Sequence, residues 1–589
     1  MEHFRWLWAA LLAAIGLLAG EARAAAHAEA DLDVRARRVI ATYESTIRPL
    51  EVQAARCWWA ANVSGKADDF RKQQQSELQI GVCLARSHSF VELKALFEAR
   101  PSDPLLARQI DVLYRQYLGT QLEPPVIDEL LATTNAVEQA FNVYRPRIGG
   151  RKTTSNEVRR VLRQSTDSDE RRAAWEAALG VGRAVETELR RLIHQRNEVA
   201  RRLGFANYYA LQLFLGEQDR GDVERLFDTL ETLTRQPYRA AKAEIDTALA
   251  ARCHVAVDQL RPWHYHDPFA QVAPAVFPDA AESVYGSLDI VRLCRDFYGG
   301  IGLPVDDLLR RSDLYEKQGK SPHAFCADLD RAGDVRILVN IAPGKQWLTT
   351  TLHELGHAVY SSKNIPPHMP YALRTEAHSL VTEGVAMMFE RLAGNPDWLA
   401  AMGVRIGDLP RFRAAAAWQR RVQLLMFARF CQVMFRFETA LYENPDQDLN
   451  RLWWELVEKY QEIRRPEGRN EPDYAAKLHI ITSPGYFHNY LLGALFASQL
   501  HRTLVRQFFA GDDPARVVYV GRKDVGRFLQ ERVFAAGRTM PWNELIRAAT
   551  GELLSVRAFA EDIGAAWGGD AKGRIAEATP SVAPLAHGP

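Results

Sequence analysis

The stretch Thr350-Thr351-Leu352-His353-Glu354-Leu355-Gly356-His357-Ala358-Val359-Tyr360 decides how this chain of 589 residues is read. It contains H-E-x-x-H. On an α-helix, His353 and His357 lie one turn apart on the same face, so both imidazoles reach one metal ion. Glu354 sits beside them, placed to take a proton from a water at that ion. Neutral imidazole is a good zinc ligand, and a catalytic zinc keeps one position open for water or substrate. The flanking residues Leu352, Leu355, Gly356, Ala358 and Val359 are apolar or small, as a buried helix requires. They favour a metal helix, holding one zinc ion per chain, over two surface histidines placed by chance.

Upstream lies SPHAFCADLDRAGDVRILVNIAPG (321–344). Its segment Arg336–Ile341 alternates β-branched residues between turn formers and reads as a strand. A free edge just before the metal helix can pair with an extended peptide backbone. His323, near this strand, is a candidate donor to a substrate carbonyl. Downstream, TEAHSLVTEGVAMMFERLAG (375–394) reads as a second helix with two candidate third ligands, Glu376 and Glu383. They are two turns apart and so share a face. Thr382-Glu383-Gly384 favours Glu383, because the glycine allows two helices to pack closely beside the ligand. Glu376 and His378 then become groups that orient the ligands. In AAKLHIITSPGYFHNYLLGALFASQL (475–500), Lys477, His479, Tyr486 and Tyr490 gather at the entry of an apolar helix. A histidine and a tyrosine aimed at the reacting oxygen stabilise the oxyanion of a tetrahedral intermediate.

The remainder is helical in character. LDVRARRVIATYESTIRPLEVQAARCWWAANV (32–63) repeats apolar residues at three- and four-residue steps. SDERRAAWEAALGVGRAVETELRRLIHQRNEVARRLGF (168–205) is a long run of strong helix formers. Pro124-Pro125 and Gly149-Gly150 break helices. The loop RPWHYHDPFAQVAPAVFPD (261–279) carries His264 and His266, read as lining a cleft or packing on aromatics in preference to binding metal, with the loop a plausible substrate-facing one. The expected fold class is mainly α, with residues 25–566 forming one helical metallopeptidase domain and 567–589 a small, polar, disordered tail. A net charge of +1 gives no reason to expect nucleic acid or an anionic membrane as partner. At the N-terminus, Arg5 precedes an apolar run from Trp6 to Gly20 and then Ala22-Arg23-Ala24-Ala25-Ala26. This reads as a signal peptide over 1–24, giving a secreted or periplasmic protein without a stable membrane anchor after cleavage. Six cysteines in an exported chain permit disulfides, and Cys57 with Cys83 is the one pairing suggested. None has C-x-x-C spacing.

Taken together, these residues resemble the angiotensin-converting-enzyme family of zinc dipeptidyl carboxypeptidases (peptidase family M2, a gluzincin), especially its shorter bacterial relatives. His353, Glu354 and His357 match its zinc helix, and ALRTEAHSLVTEG resembles the segment ending in its glutamate ligand, which supports Glu383. His323-Ala324 resembles its substrate-binding His-Ala, and Lys477-x-His479-Ile480 followed by Tyr486 resembles its Lys-x-His-Ile…Tyr segment. AGRTMPWNEL…TG resembles a C-terminal scaffold motif. The resemblance implies a helical ellipsoid with a deep central cleft between two subdomains, a small sheet edge near the zinc helix, and short peptides as substrates. It further implies that Lys477 and Tyr486 hold the substrate's C-terminal carboxylate, that His323 and Ala324 align its backbone, and that His479 and Tyr490 serve the oxyanion. The chain departs from the pattern at four places. Tyr490 is one residue out of step, with Asn489 at the matching position; PWHYHD lacks the family's carboxylate-binding glutamine; Met387 replaces an acidic residue one turn after the zinc glutamate; and Pro322 replaces a cysteine. The G-Y-x-x-x-Y pattern at Gly485–Tyr490 leans towards thimet-oligopeptidase-like enzymes that cut internal bonds. A non-catalytic exported peptide-binding protein is the reading from another class, disfavoured by the intact Glu354.

Overall fold

The computed structural model describes residues 2–85, 87–274 and 282–564, with side chains from residue 30 on except at 87, 124, 282 and 283. Two compact units divide the chain: Met1–Gln121 with Pro367–Thr375, and Leu122–Pro366 with Glu376–Pro589. Regular structure is overwhelmingly helical, with two antiparallel two-stranded sheets among the described residues. The mainly α expectation holds.

The first unit is built from helices Glu2–Ser64, Ala67–Leu84, Ser87–Ala99 and Pro104–Leu118. Pro104 opens the last of these, and Asp103 caps it by accepting from the Leu105 and Leu106 N–H groups. Glu51 ties the returning segment in: its Oε1 accepts from Tyr43 and its Oε2 from Tyr371, each at 2.9 Å. The expected Cys57–Cys83 disulfide is not made, and both thiols are free. The reason is register. Cys57 Sγ stands level with Ser76, 3.6 Å from its Oγ. Cys83 lies seven residues further along the same helix, about 10 Å at the usual rise, beyond what a disulfide spans. Residues 2–24 form the backbone of the first helix. Their side chains, on which the export reading depends, lie outside the described ones, as does the tail 567–589. Among the described residues no helix is long and apolar enough to cross a membrane.

In the second unit, Pro124 starts the helix Pro124–Val143. Gly149 and Gly150, at φ +55° and +80°, make the two-residue turn of a hairpin between β1 (Arg147–Ile148) and β2 (Arg151–Lys152). Both central residues need positive φ in such a turn, which glycine supplies. Three further helices form the centre of this unit: the histidine helix Lys345–Ser361, the glutamate helix Ser379–Glu390 and the apolar helix His488–Phe508. They bury Leu352, Leu355, Val381, Val385, Leu492 and Phe496 completely, each side chain contributing about 1.5–3 kcal/mol. Their crossings admit no side chain. A Cβ on Gly356 would stand 2.8 Å from Ala386 Cα, and one on Gly493 3.0 Å from Glu383 Cβ. Gly384 packs against the apolar helix, so the small residue between histidine and glutamate helices is Gly356 instead.

Ahead of the histidine helix, β3 (Phe325–Asp328) pairs antiparallel with β4 (Val335–Leu338), Cys326 opposite Ile337. β4 is shorter than the expected 336–341 and has no free edge. Its other side is taken by Asp313, which donates to Ile337 O and accepts from Val339 N, both at 3.0 Å. The buried Lys320 ammonium fixes that pairing, donating to Val339 O at 2.6 Å and to Asp313 Oδ1 and Tyr315 O at 2.7 Å. The open edge therefore belongs to β3.

Candidate metal centre

His353 and His357 leave the histidine helix on one face, as an i, i+4 pair must. Their Nε2 atoms are 3.1 Å apart. Glu383 Oε2 stands 3.6 Å from His353 Nε2 and 3.9 Å from His357 Nε2. Each histidine is turned by a hydrogen bond at its other nitrogen: His353 Nδ1 to Glu390 Oε2 and His357 Nδ1 to Thr382 Oγ1, both at 2.7 Å. With Nδ1 as donor, each Nε2 carries a lone pair, and the two lone pairs face one another beside a carboxylate oxygen. Glu383 Oε2 is itself buried without a hydrogen-bond partner, an arrangement that costs free energy unless a cation takes all three. Three ligands held about 2.0–2.1 Å from a tetrahedral zinc would stand roughly 3.4 Å apart, close to the separations found. The set fits zinc, and among the described residues it is the group of three that could hold a metal ion.

The glutamate helix thus supplies one ligand and both orienting partners, Thr382 and Glu390. Of the two candidate ligands, Glu383 is the one brought to the histidines. Glu376 does not share its helical face, because the helix begins only at Ser379; its carboxylate accepts from the Ser361 hydroxyl. Nor does His378 orient a ligand. It caps the helix, its Nδ1 accepting from Leu380 N at 3.0 Å. Glu390, which sequence reasoning missed, lies seven residues after Glu383, and a two-turn step back to one helix face is the signal that could have found it.

Glu354 is buried at the inner side of this set. Burial pushes its carboxyl up to about 7, with Glu383 and Glu390 adding to the rise, while His353 and a hydrogen bond from the Cys326 N–H pull it down. A group poised near neutrality suits a general base. The Cys326 N–H points away from β4, on the open edge of β3, near the Glu354 carboxyl.

His323 and Ala324 lead directly into β3. The His323 imidazole is exposed and makes no hydrogen bond among the described residues. His479 is half-buried, edge-on to Phe487 at 5.1 Å and to Tyr490 at 6.0 Å. Burial, with Lys477 and His323 nearby, lowers its pKa to about 4, so it is a neutral imidazole. Tyr490 packs edge-on to Tyr486 at 5.3 Å, and its hydroxyl makes no hydrogen bond among the described residues. Burial and then Glu383 and Glu354 push it up to about 12, which keeps it a donor. Asn489, at the position the family gives to a tyrosine, is buried and turned away, accepting from Gln218 at 2.7 Å.

Lys477 and Tyr486 have different polar partners. The Lys477 ammonium is buried among the rings of Phe430, Phe487 and Phe269, 4.7, 5.0 and 5.3 Å from their centroids, and it donates to Gln271 Oε1 at 2.8 Å. Tyr486 instead directs its hydroxyl to Glu383 Oε1 at 3.4 Å. Gln271 is the glutamine that PWHYHD lacked. It arrives there because Asp267 accepts N–H groups from Phe269, Gln271 and Val272 and curls the loop, while Arg171 clamps the Trp263 and His264 carbonyls. No local sequence signal marks this. His264 and His266 are buried core residues rather than cleft lining, His264 being bonded to Ser168 at 2.9 Å. Residues 275–279 of that loop lie outside the described ones.

The family model for angiotensin-converting enzyme matches residues 276–561. Among curated proteins, the chain is similar to angiotensin-converting enzyme of Theromyzon tessulatum, 22% identical over 286 residues, covering 47% of this chain and 46% of the relative. It is 21% identical over 409 residues to that of Mesocricetus auratus, covering 63% and 30%. For Rattus norvegicus the values are 24% over 279 residues, 45% and 21%. The matches thus span about half or less of these relatives' length. The matched residues 276–561, just under half of the chain, include His353, Glu354, His357, Glu383 and the β3 edge, and through them the chain is similar to the angiotensin-converting-enzyme family, peptidase family M2.

Proposed function

We propose that this chain is a zinc peptidase that hydrolyses short peptides and releases C-terminal dipeptides. The observation that carries this reading is the convergence of His353 Nε2, His357 Nε2 and Glu383 Oε2 within 3.1–3.9 Å, with the buried Glu354 carboxyl on the same helix as the two histidines. The edge of β3, packed on that helix, is where an extended substrate would pair. His353, His357 and Glu383 would hold one zinc, which when bound supplies Lewis-acid polarisation of a carbonyl and lowers the pKa of a water. Ala324 and the β3 edge align the peptide backbone, and His323 donates to one of its carbonyls. Glu354 takes the proton of the attacking water and delivers it to the leaving amine. Tyr490 and His479 donate to the oxygen on which charge develops. Lys477, with Gln271, meets the terminal carboxylate and so counts residues from the C-terminus.

The same N-terminal pattern that reads as a signal peptide supports export to the periplasm or beyond. Cleavage of internal bonds is the second reading, favoured by the G-Y-x-x-x-Y pattern at Gly485–Tyr490.

Product mass spectrometry on paired peptides, one with a free and one with an amidated C-terminus, tests the assignment with and without chelator. Chelator-sensitive dipeptide loss from the free peptide alone is expected. Internal cuts in both peptides support the oligopeptidase, and absence of cleavage despite bound zinc the binding protein. Glu354→Ala should keep its zinc and lose turnover by several orders of magnitude; retained turnover would remove Glu354 from the mechanism.

A further inference from the structure

We infer that Arg196 and Glu438 are positioning residues for His479: from opposite sides they close the short helix that carries it. The inference rests on the function proposed above and deepens it, naming what holds one of the groups offered to the reacting oxygen.

The helix Leu478–Thr482 cannot close itself. The last carbonyls of a helix need donors from the residues that follow. Ser483 N donates to His479 O at 2.9 Å. The next donor in the ladder would serve Ile480 O, but that position is Pro484, which has no N–H. Gly485 N would serve Ile481 O, but it donates to Glu438 Oε1 at 3.0 Å instead. Ile480 O and Ile481 O thus lack the donors of a continuing helix, at residues that are fully buried.

Arg196 supplies both. Its Nη1 donates to Ile480 O at 3.2 Å and its Nη2 to Ile481 O at 2.6 Å. The guanidinium is itself held in place, over the Tyr208 ring at 5.7 Å from the centroid and with Nη1 at 3.3 Å from the Tyr442 hydroxyl. A cation at the carbonyl end of a helix has the sign that the backbone dipoles favour. Glu438 completes the closure by taking the diverted Gly485 N–H. It is buried, and its Oε2 has no hydrogen-bond partner among the described residues, so no other polar contact of that carboxyl accounts for its place. Two charged side chains from the scaffold therefore do what Pro484 prevents the chain from doing.

His479 depends on this closure more than Lys477 does. Lys477, at the start of the helix, has Gln271 as its own polar support. The His479 ring has Phe487 and Tyr490 as edge-on neighbours and makes no side-chain hydrogen bond among the described residues. The backbone beneath it sets where the imidazole points.

The test combines amide hydrogen exchange with steady-state kinetics of the full chain on a peptide with a free C-terminus. Arg196→Lys keeps the charge but exchanges a rigid fork for a single ammonium. It should speed exchange of the Ser483 amide and lower kcat about 10- to 100-fold, the scale of an ångström-sized misplacement. KM and zinc affinity should stay as in the wild type. Glu438→Gln keeps an acceptor for the Gly485 N–H and should lose far less kcat than Glu438→Ala. In a His479→Ala background the loss caused by Arg196→Lys should disappear, because the group it positions is gone. An equal loss in both backgrounds would overturn the action through His479, and unchanged Ser483 exchange in Arg196→Lys would overturn the closure itself. A wild type that binds zinc and cuts no peptide would overturn the function proposed above, while the exchange measurement would still decide the closure.

Discussion

Glu390 Oε2 lies 2.7 Å from His353 Nδ1, two helical turns beyond the candidate ligand Glu383. The pair explains how the site keeps a carboxylate behind a ligand histidine although Met387 occupies the position one turn after Glu383. Seven residues advance a helix by nearly two full turns, so Glu390 returns to the face that Glu383 occupies. His357 has only the Thr382 hydroxyl in the corresponding place. The two ligand histidines thus have unequal support, an anion for one and a neutral hydroxyl for the other. Hydrogen bonds with an ionised partner are roughly twice as strong as neutral ones, so His353 is the better electron donor and the better-fixed ring.

Glu390→Gln should therefore weaken zinc binding about 10- to 100-fold, while Thr382→Val costs less. Glutamine keeps an acceptor for the His353 N–H and removes only the charge, so the fold should persist. Competition with a chelator of known affinity measures both variants. Equal losses at the two positions would mean that charge at Glu390 does not matter.

The buried Lys477 ammonium sets a pH limit. Burial lowers it to about 8, with Asp267 and Cys431 pulling the other way. The cation is present below that value and lost above it, and only the cation attracts a carboxylate. KM for peptides with a free C-terminus should accordingly rise above about pH 8, approaching tenfold per unit once the lysine is mostly neutral. Amidated peptides should show no such rise. Lys477→Met should raise KM for the free peptide at neutral pH and erase the difference in pH dependence. A free-peptide KM that stays flat to pH 9.5 would remove Lys477 from carboxylate recognition.

The group of three residues that could hold a metal was legible because its signal is local. An i, i+4 histidine pair and a glutamate on a neighbouring helix need only the helix period and the chemistry of zinc. The open strand edge was misread for the opposite reason. Which of β3 and β4 lies outside depends on Asp313 pairing with Ile337 and Val339 under the clamp of Lys320, and no periodicity in 321–344 carries that. Gln271 was missed because its contact with Lys477 joins positions 206 residues apart in the chain. Cys57 and Cys83 lie on packed helices but at different heights.

Gly356 offers a direct test of how finely the centre is built. It lies within H-E-x-x-H, at the crossing of the histidine and glutamate helices, where an added Cβ would stand 2.8 Å from Ala386 Cα. Two effects compete in Gly356→Ala. Alanine favours an exposed helix interior by about 0.8–1.0 kcal/mol over glycine. Against this, the contact is with backbone, which cannot swing aside, and overpacking a dense core costs about 1–3 kcal/mol. The steric term wins, so the variant should lose roughly 1–2 kcal/mol of stability on balance. The more telling effect is on metal. Relief requires the two helices to part by several tenths of an ångström, and Glu383 moves with its helix while the histidines stay with theirs. Zinc affinity should fall although no candidate ligand or orienting residue has changed, and it should fall further than in Gly299→Ala, another helical glycine, where an added Cβ meets nothing within 4 Å. Thermal unfolding with and without zinc separates the two losses. The zinc-free difference reports the clash, and any additional difference with zinc reports the displaced ligand. If the two differences are equal, the crossing is tight for stability alone and the ligand set tolerates the shift.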